Sequence, residues 1–213
     1  MKLCYVTDRK SLAGTADGQI RLLQGEIERA ARAGVDWIQI REKDLPGRAI
    51  SGLVREAVRR APASSRVLVN DRLDVACTTG AGGVHLGEQS LPVAEALRFL
   101  RAQRLPEKFL VGASAHSLAA VLAAEKDGAD YVIFGPIFGT PSKALFGEPQ
   151  GVERLAEVCQ RVAVPVLAIG GITLENAPEC VRAGAAGIAA IRLFQGAPDV
   201  SVVVRELRSP ARR

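Results

Sequence analysis

The sequence predicts an α/β fold, a single-domain (β/α)8 barrel over residues 1–207 followed by a basic tail at 208–213. Short β-branched or apolar runs alternate with helical patterns eight times from end to end. Several of the runs are apolar throughout, as parallel strands covered on both faces must be. Near the C-terminal end, Pro165-Val166-Leu167-Ala168-Ile169 runs into Gly170-Gly171-Ile172-Thr173, and a second apolar run, Ile188-Ala189-Ala190-Ile191, follows after Gly184-Ala185-Ala186-Gly187. Two such strands with a glycine turn between them form the phosphate cup of many barrels. The glycines let backbone N–H groups approach an anion, and a helix start beyond them adds partial positive charge. A phosphorylated small molecule is therefore the expected ligand; a plain strand–turn–helix corner is the alternative for a glycine pair alone.

Strands are expected at 3–7, 36–41, 67–69, 83–86, 110–114, 130–134, 165–169 and 187–191. Helical patterns lie between them at about 19–33, 47–61, 72–79, 92–103, 117–127, 151–162, 174–183 and 198–207. Three helices close on the same kind of turn, Ala33-Gly34-Val35-Asp36, Asp127-Gly128-Ala129-Asp130 and Ala183-Gly184-Ala185-Ala186. In each, the glycine can take the left-handed conformation that ends a helix. A doubly wound open sheet is the alternative, but such folds usually stop nearer about five or six strands.

At 213 residues and 48% hydrophobic content, the chain can bury roughly 70% of its unfolded surface. TIM-type barrels commonly run as single units of about 200–250 residues. No apolar stretch approaches the roughly 18 residues needed to span a bilayer, and Asp8 and Arg9 cut off the opening apolar run before a signal-peptide core could form. Cys4, Cys77, Cys159 and Cys180 are far apart, with no CxxC pair, so buried free thiols in a reducing cytoplasm are expected and a zinc site is not. The formal charge of +5 is largely local, with Arg205, Arg208, Arg212 and Arg213 at the end and Arg55, Arg59 and Arg60 on one helix. With one Trp, two Tyr and six Phe there is no aromatic interleaving, so acidic metabolites rather than nucleic acid are the expected partners.

In a barrel the residues just after each strand share one mouth. After the second strand, Gln39-Ile40-Arg41-Glu42-Lys43 sends Gln39, Arg41 and Lys43 to one side and Ile40 and Glu42 to the other. Two cations and an amide there suit a di-anion or polyphosphate, with a surface ion-pair cluster as the alternative. After the third strand, Asp71 in Asn70-Asp71-Arg72 can cap the next helix or ligate Mg2+. After the fourth comes Val84-His85-Leu86-Gly87-Glu88-Gln89-Ser90, in which His85 is expected to be a satisfied core imidazole. After the fifth, Ser114-Ala115-His116-Ser117 offers a proton carrier in His116 and hydroxyls that can bind substrate or cap the helix. The longest loop follows the sixth strand, where Thr140, Ser142 and Lys143 can form a lid over an anion.

These segments together closely resemble the thiamin phosphate synthase / thiazole tautomerase (TenI-like) family, over nearly the whole chain from Tyr5 to Ala189. The specific pieces are Gln39-x-Arg41-Glu42-Lys43, Asn70-Asp71, Val84-His85-Leu86-Gly87, Ser114-x-His116-Ser117, Gly135-Pro136-Ile137-Phe138-x-Thr140-Pro141-Ser142-Lys143 and Ile169-Gly170-Gly171-Ile172. The resemblance implies a transferase joining an aminopyrimidine methyl diphosphate to a thiazole phosphate, in which diphosphate leaves, a pyrimidine methyl cation forms and the thiazole nitrogen attacks it. It further implies that Arg41, Lys43, Asn70 and Lys143 hold the diphosphate, Asp71 holds Mg2+, and Gln39 and Ser114 face the pyrimidine. Thr140, Ser142, Gly170, Gly171, Ile191 and Arg192 would hold the thiazole phosphate, and the family's barrels often pair as homodimers.

Two positions depart from the synthase pattern: Ser90 stands where a second acidic magnesium ligand is usual, and Arg192 where a small residue is usual. Ser90 and Ala115-His116-Ser117 look more like the tautomerase branch, which aromatises a thiazole carboxylate phosphate without metal, with His116 as acid/base. The retained Gln39, Lys43, Asn70 and Asp71 favour the synthase. A non-catalytic relative that binds thiazole phosphate is the third alternative.

Overall fold

The computed structural model describes residues 1–103, 108–139 and 148–209. Eight parallel strands, β1 (Lys2–Val6), β2 (Trp37–Ile40), β3 (Arg66–Asn70), β4 (Gly83–Leu86), β5 (Leu110–Ala115), β6 (Tyr131–Phe134), β7 (Val166–Ile169) and β8 (Gly187–Ala190), close into a barrel in chain order. Helices α1 (Ala16–Arg32), α2 (Gly47–Arg60), α3 (Leu73–Thr78), α4 (Val93–Arg101), α5 (Leu118–Lys126), α6 (Gly151–Arg161), α7 (Ala177–Arg182) and α8 (Val200–Arg208) follow the strands in turn. The chain therefore has the predicted (β/α)8 architecture.

The core has two layers, as burial on both strand faces requires. Cys4, Val6, Leu68, Tyr131, Ile133, Leu167 and Ala189 fill the barrel, while the larger cluster lies between strands and helices. Strand register fixes which residues face inward: Val6 pairs with Gln39, Gln39 with Leu68, Asn70 with His85, and Ser114 with Ile133. Gln39, Asn70, His85 and Ser114 thus form the polar upper end of an otherwise apolar interior.

The boundaries shift where local hydrogen bonds override periodicity. α1 begins at Ala16 rather than 19, because Thr15 Oγ1 accepts from Gly18 N at 3.4 Å and caps it. α7 begins at Ala177 rather than 174, because Thr173 N donates to Asn176 Oδ1 at 2.8 Å and Asn176 N donates to Thr173 Oγ1 at 3.3 Å, making a turn of their own. A 3-10 turn over Arg9–Ser11 is additional to the expected elements. Arg208, assigned to the tail from sequence, ends α8 and donates to Gly34 O at 2.7 Å. All four cysteines are free, but only Cys4 and Cys180 are buried; Cys77 and Cys159 are half-buried. Among the described residues no helix is long and apolar enough to cross a membrane.

Candidate functional site

At the β2 end, Gln39 is buried and its Nε2 has no hydrogen-bond partner among the described residues. Two residues on, Arg41 is exposed, and Lys43 Nζ lies 3.2 Å from Asp71 Oδ2. The intervening Glu42 turns the other way and is 3% exposed. Its carboxylate accepts from Thr7 Oγ1 at 2.7 Å and from Arg9 Nη1 at 3.0 Å. Arg9 in turn grips Asp44 with both terminal nitrogens, at 2.6 and 2.8 Å. Glu42 is buried between exposed Arg41 and Lys43, and an ion-pair clamp not foreseen in the sequence holds it there. A carboxylate alternating toward an apolar side was its only local signal, since such a group needs a cation.

Asp71 has φ 61, the one positive value at a non-glycine position among the described residues. Aspartate tolerates this left-handed conformation better than most side chains. The carboxylate does not cap α3, whose cap position is Arg72 with no side-chain cap, so that expectation is corrected. The twisted backbone sends it across to the β4 loop instead. Oδ1 accepts from Gly87 N at 2.8 Å and Ser90 Oγ at 2.5 Å, while Oδ2 accepts from Asn70 Nδ2 at 2.7 Å. Burial pushes the Asp71 acid up, but the Ser90, Gly87 and Lys43 donors outweigh it and hold the group below the usual carboxylate range. One half-buried carboxylate beside a hydroxyl and an amide fits Mg2+, which takes one or two carboxylates and draws further oxygens from phosphate and water. Glu88 does not supply the second carboxylate; it pairs with His116 Nδ1.

His85 is the satisfied core imidazole expected of it. Its Nε2 is 2.8 Å from Ser114 Oγ and its Nδ1 is 3.1 Å from Tyr131 OH, a partner the sequence did not reveal. Burial pushes its pKa down to about 3. The native state therefore keeps His85 neutral while the unfolded chain protonates it below about pH 6.5. Stability attributable to this group falls as pH drops from about 6.5 toward 3, by at most about 1.4 kcal/mol per pH unit. Urea unfolding at pH 7, 6 and 5 should show that slope reduced in His85→Gln; equal slopes would mean His85 does not stay neutral. Ser117 caps α5 by accepting from Ala120 N at 3.2 Å, the simpler of its two expected roles.

On the opposite rim, Asp8, Ser11, Pro136, Gly170, Gly171, Ile191 and Arg192 help line a hollow of about 240 Å³. Gly170 and Gly171 have φ 100 and 64. A Cβ on Gly171 would stand 2.7 Å from both Gly139 O and Phe138 Cβ, so the β6 and β7 loops touch through a residue where any side chain would force them apart. α7 starts six residues beyond Gly171, so its end is not the immediate extension of the cup that the sequence suggested. Gln195, another residue that sequence reasoning missed, ties β1 to the β8 loop. It accepts from Tyr5 OH at 2.6 Å and donates through Nε2 to Asp8 O and Ser11 Oγ, both at 2.6 Å. Thr140, Ser142 and Lys143 lie outside the described residues.

One end of the barrel thus gathers Arg41 and Lys43, Asp71 with Ser90, His116 with Glu88, and the glycine-walled hollow. This fold and rim define a (β/α)8-barrel enzyme built for anionic small molecules. The sequence matches the family model described as thiamine monophosphate synthase over residues 3–194, and the chain belongs to that family. It is 45% identical over 180 residues to a thiamine-phosphate synthase of Methanoculleus marisnigri, covering 84% of this chain and 83% of the relative. A thiamine-phosphate synthase of Chloroflexus aurantiacus is 40% identical over 211 residues, covering 98% of this chain and 91% of the relative. Among solved structures, the thiamine phosphate pyrophosphorylase of Pyrococcus furiosus superposes with a TM-score of 0.81 at 33% identity, covering 97% of this chain and 93% of that one.

Proposed function

We propose that this protein is a thiamin phosphate synthase, joining an aminopyrimidine methyl diphosphate to a thiazole phosphate with release of diphosphate. The observation that supports the proposal is the division of one barrel mouth into two separate regions. A cation rim with a held carboxylate lies at the β2–β4 ends, and the glycine-walled hollow lies at the β7–β8 ends. A bond-breaking step that sheds diphosphate needs positive charge where the leaving oxygen develops negative charge. Arg41 and Lys43 supply it, with Asn70 Nδ2 as a further donor, and Lys143 is assigned there by the family resemblance. Asp71 and Ser90 would hold Mg2+, which when bound screens the two phosphoryl groups. Ser114, aligned by neutral His85, and Gln39, with its unpaired buried amide, face the pyrimidine side; satisfying that amide would recover part of the roughly 1–3 kcal/mol that an orphaned buried donor costs. Gly170, Gly171 and the Ile191–Arg192 backbone seat the thiazole phosphate, joined by Thr140 and Ser142 on family grounds. Free thiols support a cytoplasmic location.

The Glu88–His116 pair favours a second reading, thiazole tautomerase, because a carboxylate on one imidazole nitrogen fixes the tautomer of a proton carrier. Two assays separate the readings: both precursors with Mg2+, and the unaromatised thiazole carboxylate phosphate without metal. Turnover in the first alone is expected. Turnover in the second alone would refute the synthase assignment, and His116→Ala should then lower that rate by roughly 10²-fold or more.

A further inference from the structure

We infer that Glu42 is a positioning residue for the diphosphate site, acting through a clamp of buried Thr7 and Arg9, extended to the exposed Asp44, that holds Arg41 on the mouth side of the chain. The inference rests on the proposal that Arg41 and Lys43 hold the diphosphate.

Regular pairing between β1 and β2 runs out just below these residues. The last paired positions are Val6 with Gln39, and Thr7 N still donates to Gln39 O at 2.9 Å. One residue later the partner is a side chain: Arg41 N donates to Thr7 Oγ1 at 3.0 Å. The same hydroxyl donates onward to Glu42 Oε1 at 2.7 Å. Thr7 is fully buried, so this rung sits out of water, where a hydrogen bond to a charged group is strongest. The rung extends the ladder by one residue and fixes the backbone that carries Arg41.

Beyond it, Glu42 is held inside and the exposed Asp44 is tied to the same cation. Arg9 N donates to both Glu42 oxygens, at 3.1 and 3.3 Å, and Arg9 Nη1 reaches Oε2 at 3.0 Å. The two Arg9–Asp44 bonds repeat the grip two residues later, and Lys10 Nζ adds 3.0 Å to Asp44 Oδ2. With Glu42 held inside and the Arg41 N–H pinned to Thr7, the Arg41 side chain leaves the chain on the side away from the clamp. The clamp also balances its own charge, two cations against two anions, so it leaves the positive charge of Arg41 available to a ligand. Changing Glu42 to glutamine keeps the shape but turns an NH2 toward Arg9 or Thr7, setting donor against donor.

The experiment is a cycle of Glu42→Gln, Arg41→Ala and the double variant, with calorimetric titration of inorganic pyrophosphate and, separately, of thiazole phosphate. Glu42→Gln should weaken pyrophosphate about 10-fold and leave thiazole phosphate within about twofold, and the double variant should bind pyrophosphate no more weakly than Arg41→Ala alone. A purely structural staple would depress both ligands together or add to the Arg41→Ala loss, and either result overturns the inference, as does wild-type pyrophosphate binding by Glu42→Gln. If Arg41→Ala itself leaves pyrophosphate unaffected, the diphosphate assignment fails and the inference falls with it. Should Glu42→Gln not fold, Thr7→Val removes the rung while keeping the packing, and the same selective loss is required of it.

Discussion

Changing Asp71 to asparagine is expected to lower the synthase kcat/KM by about 10²-fold or more and to raise the Mg2+ concentration needed for half-maximal rate. Asparagine is the informative replacement because it tolerates the φ of 61 nearly as well as aspartate does. The fold should therefore survive while the charge is lost. Oδ1 already accepts from Gly87 N and Ser90 Oγ, and Oδ2 from Asn70 and Lys43, so an amide nitrogen at either place confronts a donor. Because the Asp71 acid is held below the usual carboxylate range, its charge persists to lower pH than that of an ordinary aspartate. An acid limb of the rate within or above the usual carboxylate range thus belongs to another group. Ser90→Asp should move the metal dependence the opposite way, since a second carboxylate beside Asp71 is repelled by it until a divalent cation arrives. Initial rates across a Mg2+ titration test both variants, and an unchanged half-saturation point in Asp71→Asn would remove Asp71 from the metal position.

The barrel was legible in the sequence because parallel strands buried on both faces leave uninterrupted apolar runs, as Val166–Ile169 and Gly187–Ala190 do. The helix terminators were legible for an equally local reason: Gly34, Gly128 and Gly184 have φ 94, 91 and 99, the left-handed values their turns required. Local alternation placed Gln39 inward and separated Arg41 and Lys43 from Glu42. What stayed hidden depends on partners remote in sequence. Gln195 holds Asp8 from 187 positions away, and Tyr131 holds His85 from 46. Asp71 shows a different limit: a short acidic residue after a strand suits both a helix cap and a metal ligand, and only its backbone angle decides where the carboxylate goes. The later start of α7 is of the same kind, since the Thr173–Asn176 turn competes with a helix that periodicity alone would begin sooner.

Gly171→Ala is expected to weaken thiazole phosphate by roughly 10- to 100-fold while pyrophosphate binding stays near wild type. At φ 64 an alanine can adopt the backbone conformation, at a cost of about 1–2 kcal/mol. The larger consequence is steric. The new methyl would stand 2.7 Å from Gly139 O and from Phe138 Cβ, and the first of these is main chain that cannot rotate aside. Relief requires the β6 and β7 loops to part, although Ile137 N to Ile169 O at 2.8 Å and Phe138 N to Gly170 O at 3.0 Å hold them together. Parting them moves the hollow's wall at Gly170 and Gly171 but leaves Arg41, Lys43 and Asp71, just beyond β2 and β3, untouched. Gly170 would be the poorer choice for the test, because at φ 100 alanine has no comfortable conformation and lost folding could masquerade as lost binding. Calorimetric titration of the two ligands into a folded Gly171→Ala protein discriminates cleanly. Equal weakening of both would point to general loosening of the barrel mouth, and unchanged thiazole phosphate affinity would place the phosphate seat elsewhere.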